Sequence, residues 1–528
     1  MVKTSSSANP SLTHAKATNI VSAAKGSGVV FMGRLFEYAG RFLLGVMLAR
    51  FMGAGQYGIY ALADTMLTLI TGIALLGLSQ GMVYYIPFFK NIGDKASLWG
   101  TLFIGLAIPF AVSVWLSIAL IILGKPIATW LDKPTLVSVM PIVAIAVPFS
   151  VLMFAAAQAT QAFRRMRFKV IAQDIVMTSV KIICVALFAI YYSFHLNATL
   201  ALVAHTIGVL VACGMLFYYL HTELFSLNRS LKSAHIHFKL IFSFSLPVYF
   251  SQLINTFGNE FQTLMLGVLS TSSAVGIFTA ASRTSTIGKM FQASIVTVAM
   301  PYVSDLHSRH EFEQLNHFYQ TVTKWTYTVN LPVFLMMLLF SKPILMIFGD
   351  SFVSNLTIDL FGVTYSAGAV AMFILAFGHL IDAGTGICGV IITMTARPWL
   401  NTFNSILAFS STILLNILLI PTWGVIGAAT AQVASVTILN VTRIIQAYLL
   451  YDMQPYNRSF IKPTIAGLVA FAATFILDSL IFTNIELIGT ILNIIFLFAV
   501  YIATIIALGL DADDRMIINR VAGKLKPK

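Results

Sequence analysis

Arg34, Glu37 and Arg41 stand in "GVVFMGRLFEYAGRFLLGVMLA" (28–49), a run whose other residues are almost all apolar or small. On an α-helix Arg34 and Arg41 lie two turns apart, about 10 Å, and within about 20° of one face, with Glu37 between them. Guanidinium groups bind phosphate or carboxylate oxygens in pairs and keep their proton. The stripe therefore offers recognition of an anion, or else an Arg–Glu–Arg cluster that satisfies itself at helical spacing. An arginine at the centre of a membrane helix costs about 2.5–3.5 kcal/mol on insertion scales, so its presence needs a reason. Arg41 stands about 14 residues into its run, about 20 Å of helix rise. At that depth a charge faces water or a buried partner.

Other apolar runs carry polar groups too. Arg283 stands near mid-depth of its run, and Lys289 points about 120° away from it, as a packing or gate residue. Gln252, Asn255 and Asn259 follow i, i+3, i+7 and give one helix an amide face, which knits helices together or touches substrate. Asp64, Thr68 and Thr71 form a similar face, and Glu260 stands close to the amide face in sequence. Asp64, Glu260 and Lys289 are candidates for gating or ion coupling. Asp174 and Lys181, two turns apart, neutralise each other most simply, and His205, His379 and Asp382 each call for an interhelical hydrogen bond. Cys184, Cys213 and Cys388 share no ligand spacing, so neither a metal site nor a disulfide framework is indicated. "GTGICG" (384–389) fits the dinucleotide pattern of glycines but follows no strand, so its glycines read as a bend with close packing, and no cofactor is expected.

The elements that position these residues follow from composition. Of 528 residues 58% are hydrophobic and 10% charged, with a mean hydropathy of +0.88, against about 25% charged in soluble domains. Apolar stretches predict fourteen spans: 27–52, 57–85, 97–123, 135–160, 170–193, 197–220, 239–268, 274–301, 324–348, 356–394, 400–420, 425–450, 463–482 and 487–509. The segment 302–323 mixes apolar and polar residues and is expected along the membrane surface. The polar start of the chain lacks the short apolar core of a signal peptide.

Sidedness follows from Lys and Arg. The tails and even-numbered loops hold 22 of the 32 basic residues, whereas the alternate loops hold only Lys125 and Lys133. Both termini are thus expected in the cytoplasm, in a multi-pass protein of the cell membrane. The net charge of +13 belongs mainly to this bias and calls for no nucleic acid. The expected architecture is an all-α polytopic protein with a cytoplasmic tail (1–25), an N-terminal six-span bundle (26–221) and a cytoplasmic linker (222–238). A C-terminal six-span bundle (239–450), a connection with spans 13 and 14 (451–509) and a basic tail (510–528) follow. "YGIYALADT" (57–65) and "VGIFTAASRT" (275–284) echo each other at the starts of spans two and eight, as in a parallel repeat of transporter type.

Fourteen spans in a 6+6+2 plan resemble the lipid-linked oligosaccharide flippases of the multidrug/oligosaccharidyl-lipid/polysaccharide exporter superfamily. The resemblance is carried by "LARFMGAGQYGIYALA" (48–63), "VGIFTAASR" (275–283), "MPYVSDL" (300–306) and, most fully, "GVIITMTARPWLNTFNSILAFSSTILLNILLIPTWGVIGAATA" (389–431), which looks like the polysaccharide-transport branch. The resemblance implies two bundles that rock around a central cavity, with spans 13 and 14 outside them. It implies cavity arginines on the first and eighth helices, where this chain has Arg34, Arg41 and Arg283. Many relatives have an acidic residue just before the "MLG" that is here Met265–Gly267; this chain has Gln262 there, with Glu260 nearby.

Three functions follow for comparison. The first is a flippase carrying a polyprenyl-(di)phosphate-linked oligosaccharide or polysaccharide repeat unit to the outer leaflet, with Arg34, Glu37, Arg41, Arg283, Asn255 and Asn259 lining its cavity. Its partners are the lipid-linked glycan, membrane lipids, a candidate coupling cation and the glycan-assembly enzymes. The second is a cation-coupled multidrug antiporter using Glu37, Asp64 and Glu260. The third, a membrane glycosyltransferase or ligase, is disfavoured by the short outer loops.

Overall fold

Backbone groups in apolar surroundings must find partners within the chain, and a helix supplies them segment by segment. A computed structural model of the chain, which describes residues 10–163, 165–225, 235–360, 363–394, 398–481, 486–509, 511, 514 and 515, is accordingly almost wholly helical. The helices are α1 (Pro10–Ala74), α2 (Leu78–Ile92), α3 (Lys95–Trp130), α4 (Leu136–Ala162), α5 (Met166–Lys169), α6 (Met177–Tyr191), α7 (Ala198–Phe225) and α8 (Phe238–Leu269). There follow α9 (Ser272–Ser285), α10 (Lys289–Ser308), α11 (Phe312–Met346), α12 (Ser351–Ser354), α13 (Ala367–Thr385), α14 (Cys388–Met394), α15 (Pro398–Tyr451), α16 (Ile461–Ile481) and α17 (Glu486–Ala507).

Eleven helices among the described residues are long and apolar enough to cross a membrane. The chain is a multi-pass membrane protein. Two of the eleven are interrupted by a glycine with non-helical angles, Gly53 in α1 (φ 69°, ψ 170°) and Gly424 in α15 (φ 52°, ψ −122°). Glycine takes positive φ without the Cβ clash that other residues meet, so each helix can change direction there. Both glycines fall where the sequence places a short turn between spans.

The structure corrects two expectations. The expected span 356–394 opens on a hairpin, β1 (Thr357–Leu360) paired antiparallel with β2 (Val363–Ser366). The fold is therefore not purely helical. Thr357, Ile358, Val363 and Thr364 are β-branched and suit a pleated strand, and the Ser366 side chain then accepts from the Ala369 N–H (3.4 Å) to start α13. The same span breaks again at Gly386, where the glycine-rich stretch does bend. The second span also breaks, at Leu75–Gly77, before α2 carries on past Pro87. The segment 302–323 is shared between two helices. There α10 runs to Ser308, α11 starts at Phe312, and His310 (φ 59°) turns the chain between them.

The described chain forms two compact units, residues 1–52 with 59–260, and residues 53–58 with 261–528. In the first, α2, α3, α4 and α7 pack around Met82, Ile86, Leu98, Leu102, Val209 and Leu216. Ala155, Ala156, Ala157 and Ala159 of α4 are fully buried; small residues let helices approach where lipid supplies no hydrophobic drive. Asp94 caps α3 by accepting from the Ser97 hydroxyl (2.6 Å) and N–H (3.0 Å), which hold its carboxyl below the usual carboxylate range. A π-helical stretch, Val170–Val176, leads into α6 and changes the angular relation of Asp174 to Lys181 from the one a continuous α-helix would give. In the second unit α13 packs on α9, α11 and α15. There α16 and α17 pack on α11 through Leu331, Leu335, Ala466, Ala470, Leu497 and Tyr501.

Candidate functional site

Among the described residues of the first unit, ionisable side chains of the spans stand on α1, α6, α7 and α8. Arg41 Nη2 lies 2.5 Å from Glu37 Oε1, one turn earlier on α1. The Arg41 side chain is 67% exposed and that of Glu37 22%. A guanidinium so exposed within an apolar span needs water or an anion beside it, since lipid tails offer neither. Asp64, later on α1, approaches His205 of α7 at 3.7 Å, and Lys181 and Arg41 lie within electrostatic reach of that histidine. The Lys181 stem lies over Gly208, where an added Cβ would come within 2.9 Å of its Cγ. Glu260 accepts a hydrogen bond from the Thr65 hydroxyl (2.8 Å). The side chains of Arg34, Asn255 and Asn259 lie outside the described residues.

Arg283 belongs to the second unit. It ends α9, next to a 3-10 turn, Thr286–Gly288, that leads into α10. Its Nη1 donates to the Tyr57 hydroxyl (3.2 Å), and its guanidinium carbon lies 5.9 Å from the centre of the Tyr57 ring. Lys289, six residues on, is exposed. Gln262, just before Met265–Gly267, is engaged on both sides of its amide. It donates to the Ala428 carbonyl and accepts from Asn416 Nδ2 (2.7 Å).

The same unit carries an open cavity of about 280 Å³ lined by Gln292, Asp382, Thr393, Asn401, Asn440 and Arg443, among others. Asp382 accepts from Asn440 Nδ2 (2.9 Å), and His379 meets the Ser285 hydroxyl (3.3 Å), the interhelical bonds their isolation calls for. Arg443 Nη2 reaches Asn401 Oδ1 at 3.5 Å, and Asn404 and Gln446 exchange amide hydrogen bonds of 2.7 and 2.8 Å. Sequence reasoning passed over Tyr57 and Arg443. The signal for Arg443 was available: Asn440, Arg443 and Gln446 repeat at three residues, a polar stripe on one helix face.

The sequence pattern of the polysaccharide biosynthesis protein family matches residues 47–357. The capsular polysaccharide biosynthesis protein CapF of Staphylococcus aureus is 25% identical over 274 residues, 51% of this chain and 64% of CapF. The probable low-salt glycan biosynthesis flippase Agl15 of Haloferax volcanii is 23% identical over 201 residues, 38% of this chain and 40% of that protein. The matched region thus spans less than two-thirds of either relative. Among solved structures the fold is shared with the lipid II flippase MurJ in an inward-closed conformation, at a TM-score of 0.68 and 14% identity over 91% of this chain and 98% of the other. It is shared too with an inward-facing multidrug resistance transporter of the MATE family, at 0.65 and 12% identity over 79% and 94%.

Proposed function

Because the chain belongs to the polysaccharide biosynthesis protein family, we propose that it is a flippase. It moves a polyprenyl-(di)phosphate-linked oligosaccharide or polysaccharide repeat unit from the cytoplasmic to the outer leaflet by alternating access. The family match across 47–357 carries the reading, and the names of the two relatives, a capsule biosynthesis protein and a glycan flippase, agree with it. Eleven apolar helices, two of them broken at Gly53 and Gly424, with α9 and α10 read as one more traverse, support a fourteen-span reading in the 6+6+2 plan. Arg41 and Arg283 supply cations in apolar spans for the lipid phosphate, to which guanidinium binds in pairs of hydrogen bonds.

The antiporter reading asks for acidic groups that receive a cation. Here Glu37 is neutralised by Arg41, Asp64 stands beside His205 and Glu260 accepts from Thr65, and the family match is to polysaccharide biosynthesis, so that reading is not favoured. Complementation of a strain lacking a flippase of this family tests the proposal. The expected result is restored surface glycan together with loss of the accumulated lipid-linked precursor. A precursor that stays at its elevated level, with the protein present in the membrane, would sink the proposal.

A further inference from the structure

Residues 53–58 interrupt the first unit in sequence yet belong to the second, held there by contacts that include these four. The Ala54 N–H donates to Ser351 Oγ (3.1 Å). The Tyr57 ring is fully buried and sets an edge toward Phe352, with ring centres 5.8 Å apart. Gly58 and Gly276 make the third contact. A Cβ on Gly58 would lie 1.8 Å from the Ser272 carbonyl oxygen, and one on Gly276 would lie 2.1 Å from the Ala54 oxygen. Two backbones therefore touch with no side chain between them, and reciprocally, 54 and 58 against 272 and 276. These glycines are the ones in the two echoing stretches, "YGIY" and "VGIF".

The fourth contact is Arg283 on the Tyr57 hydroxyl and over its ring. The first three are neutral, whereas this one uses a charge that the proposed function assigns to the lipid phosphate. A phenol is a neutral acceptor. A phosphate oxygen is a charged one, takes two guanidinium N–H groups at once, and makes a bond about twice as strong. We propose that Tyr57 and the phosphate of the carried lipid are alternative partners of the Arg283 guanidinium. Without substrate the phenol orients Arg283, and a phosphate that takes the guanidinium loosens the hold on residues 53–58. Tyr57 is thus a positioning residue acting through Arg283, and the inference rests on reading Arg283 as a phosphate ligand.

The test uses the full chain in lipid nanodiscs, with Cys184, Cys213 and Cys388 replaced and a single cysteine at Gln56. Geranylgeranyl diphosphate is the probe, geranylgeraniol its uncharged control, and binding is followed separately by thermal shift. The diphosphate should speed thiol labelling at position 56 about tenfold, the scale of one hydrogen bond to a charged group, and the alcohol should not. Tyr57→Phe keeps the ring in its slot and removes the acceptor. Labelling should then be fast without ligand, and half-saturation should come at lower diphosphate concentration, a gain in affinity that a merely structural tyrosine would not yield. Arg283→Gln should label fast with or without ligand. Diphosphate that binds, more weakly to Arg283→Gln, yet leaves the labelling rate unchanged overturns the competition and leaves the phosphate reading standing. Binding that Arg283→Gln does not weaken overturns both.

Discussion

Truncating Arg41 removes a guanidinium that is paired with Glu37 on its own helix and two-thirds exposed. Exposed ion pairs at this spacing contribute about 0–1 kcal/mol, so Arg41→Ala should leave the amount of protein in the membrane near normal. Transport, measured by complementation beside an immunoblot, should be lost, and Arg41→Lys should keep part of it because charge survives while bidentate geometry does not. A purely structural pair predicts the reverse: Arg41→Ala strands Glu37, protein level falls, and adding Glu37→Gln recovers it. Recovery of transport by that second change would rule out Arg41 as the phosphate's cation. At this scale the sequence showed which residues are out of place in apolar runs, since cost alone marks Arg41 and Arg283. It did not show their partners. Tyr57 is an ordinary aromatic by composition, and only the packing of 53–58 brings its hydroxyl to Arg283.

Beyond α17, helices of the second unit are fastened by charges that the sequence reads differently. Lys324, almost fully buried about a third of the way along α11, meets Asp511 (3.0 Å) and Asp514 (2.8 Å) beyond α17. Lys462, next to the start of α16, meets Asp511 at 2.5 Å, and Trp325 Nε1 donates to Asp514 (2.8 Å). Lys462 first, then Lys324, holds the Asp511 carboxyl below its ordinary value of 3.8. A carboxyl depressed on folding stabilises the fold above its unfolded pKa, and the gain fades as pH falls through the lower folded value. The clasp should therefore hold unchanged across neutral pH and open only in acid below 3.8. Asp511→Asn with Asp514→Asn leaves Lys324 buried without a counter-charge, a loss of about 3 kcal/mol, read as a lower thermal midpoint in detergent. Adding Lys324→Met should recover most of it; a triple variant no more stable than the double one would show that the charge of Lys324 is not what is being balanced. The sequence assigned this segment to a basic tail because five basic residues follow it. Helix existence was legible from apolar length, and the breaks at Gly53 and Gly424 fall at boundaries between apolar stretches. The hairpin at 357–366 was not legible, because its β-branched residues also read as the apolar start of a span.

Span count and sidedness hang together across the whole chain. Apolar length predicts the traverses, but the division into units does not follow from it, because residues 53–58 join the second unit through tertiary contacts that no local pattern announces. Sidedness has a different source: lysine and arginine resist translocation, so their loops remain in the cytoplasm. With 22 of 32 basic residues in the tails and even-numbered loops, one miscounted span before the last loop would move whole groups of them to the other side. Breaks within helices are what make such a count fail. Those at Gly77 and Gly386 fall inside single traverses of the fourteen-span plan, and those at Gly53 and Gly424 fall between traverses. The resulting prediction is that 1–25, 161–169 and 510–528 all face the cytoplasm. Single cysteines at Met166 and near Lys526, in a cysteine-free background, should resist an impermeant maleimide in intact cells and react once the membrane is opened. A cysteine at Ser272, the first residue of α9, should be the outward-facing one and react without permeabilisation. Labelling of Met166 from outside would invert the first four spans, and labelling near Lys526 alone would remove or add one traverse in the second unit. The two outcomes assign the error to different breaks, so the experiment locates a fault as well as detecting one.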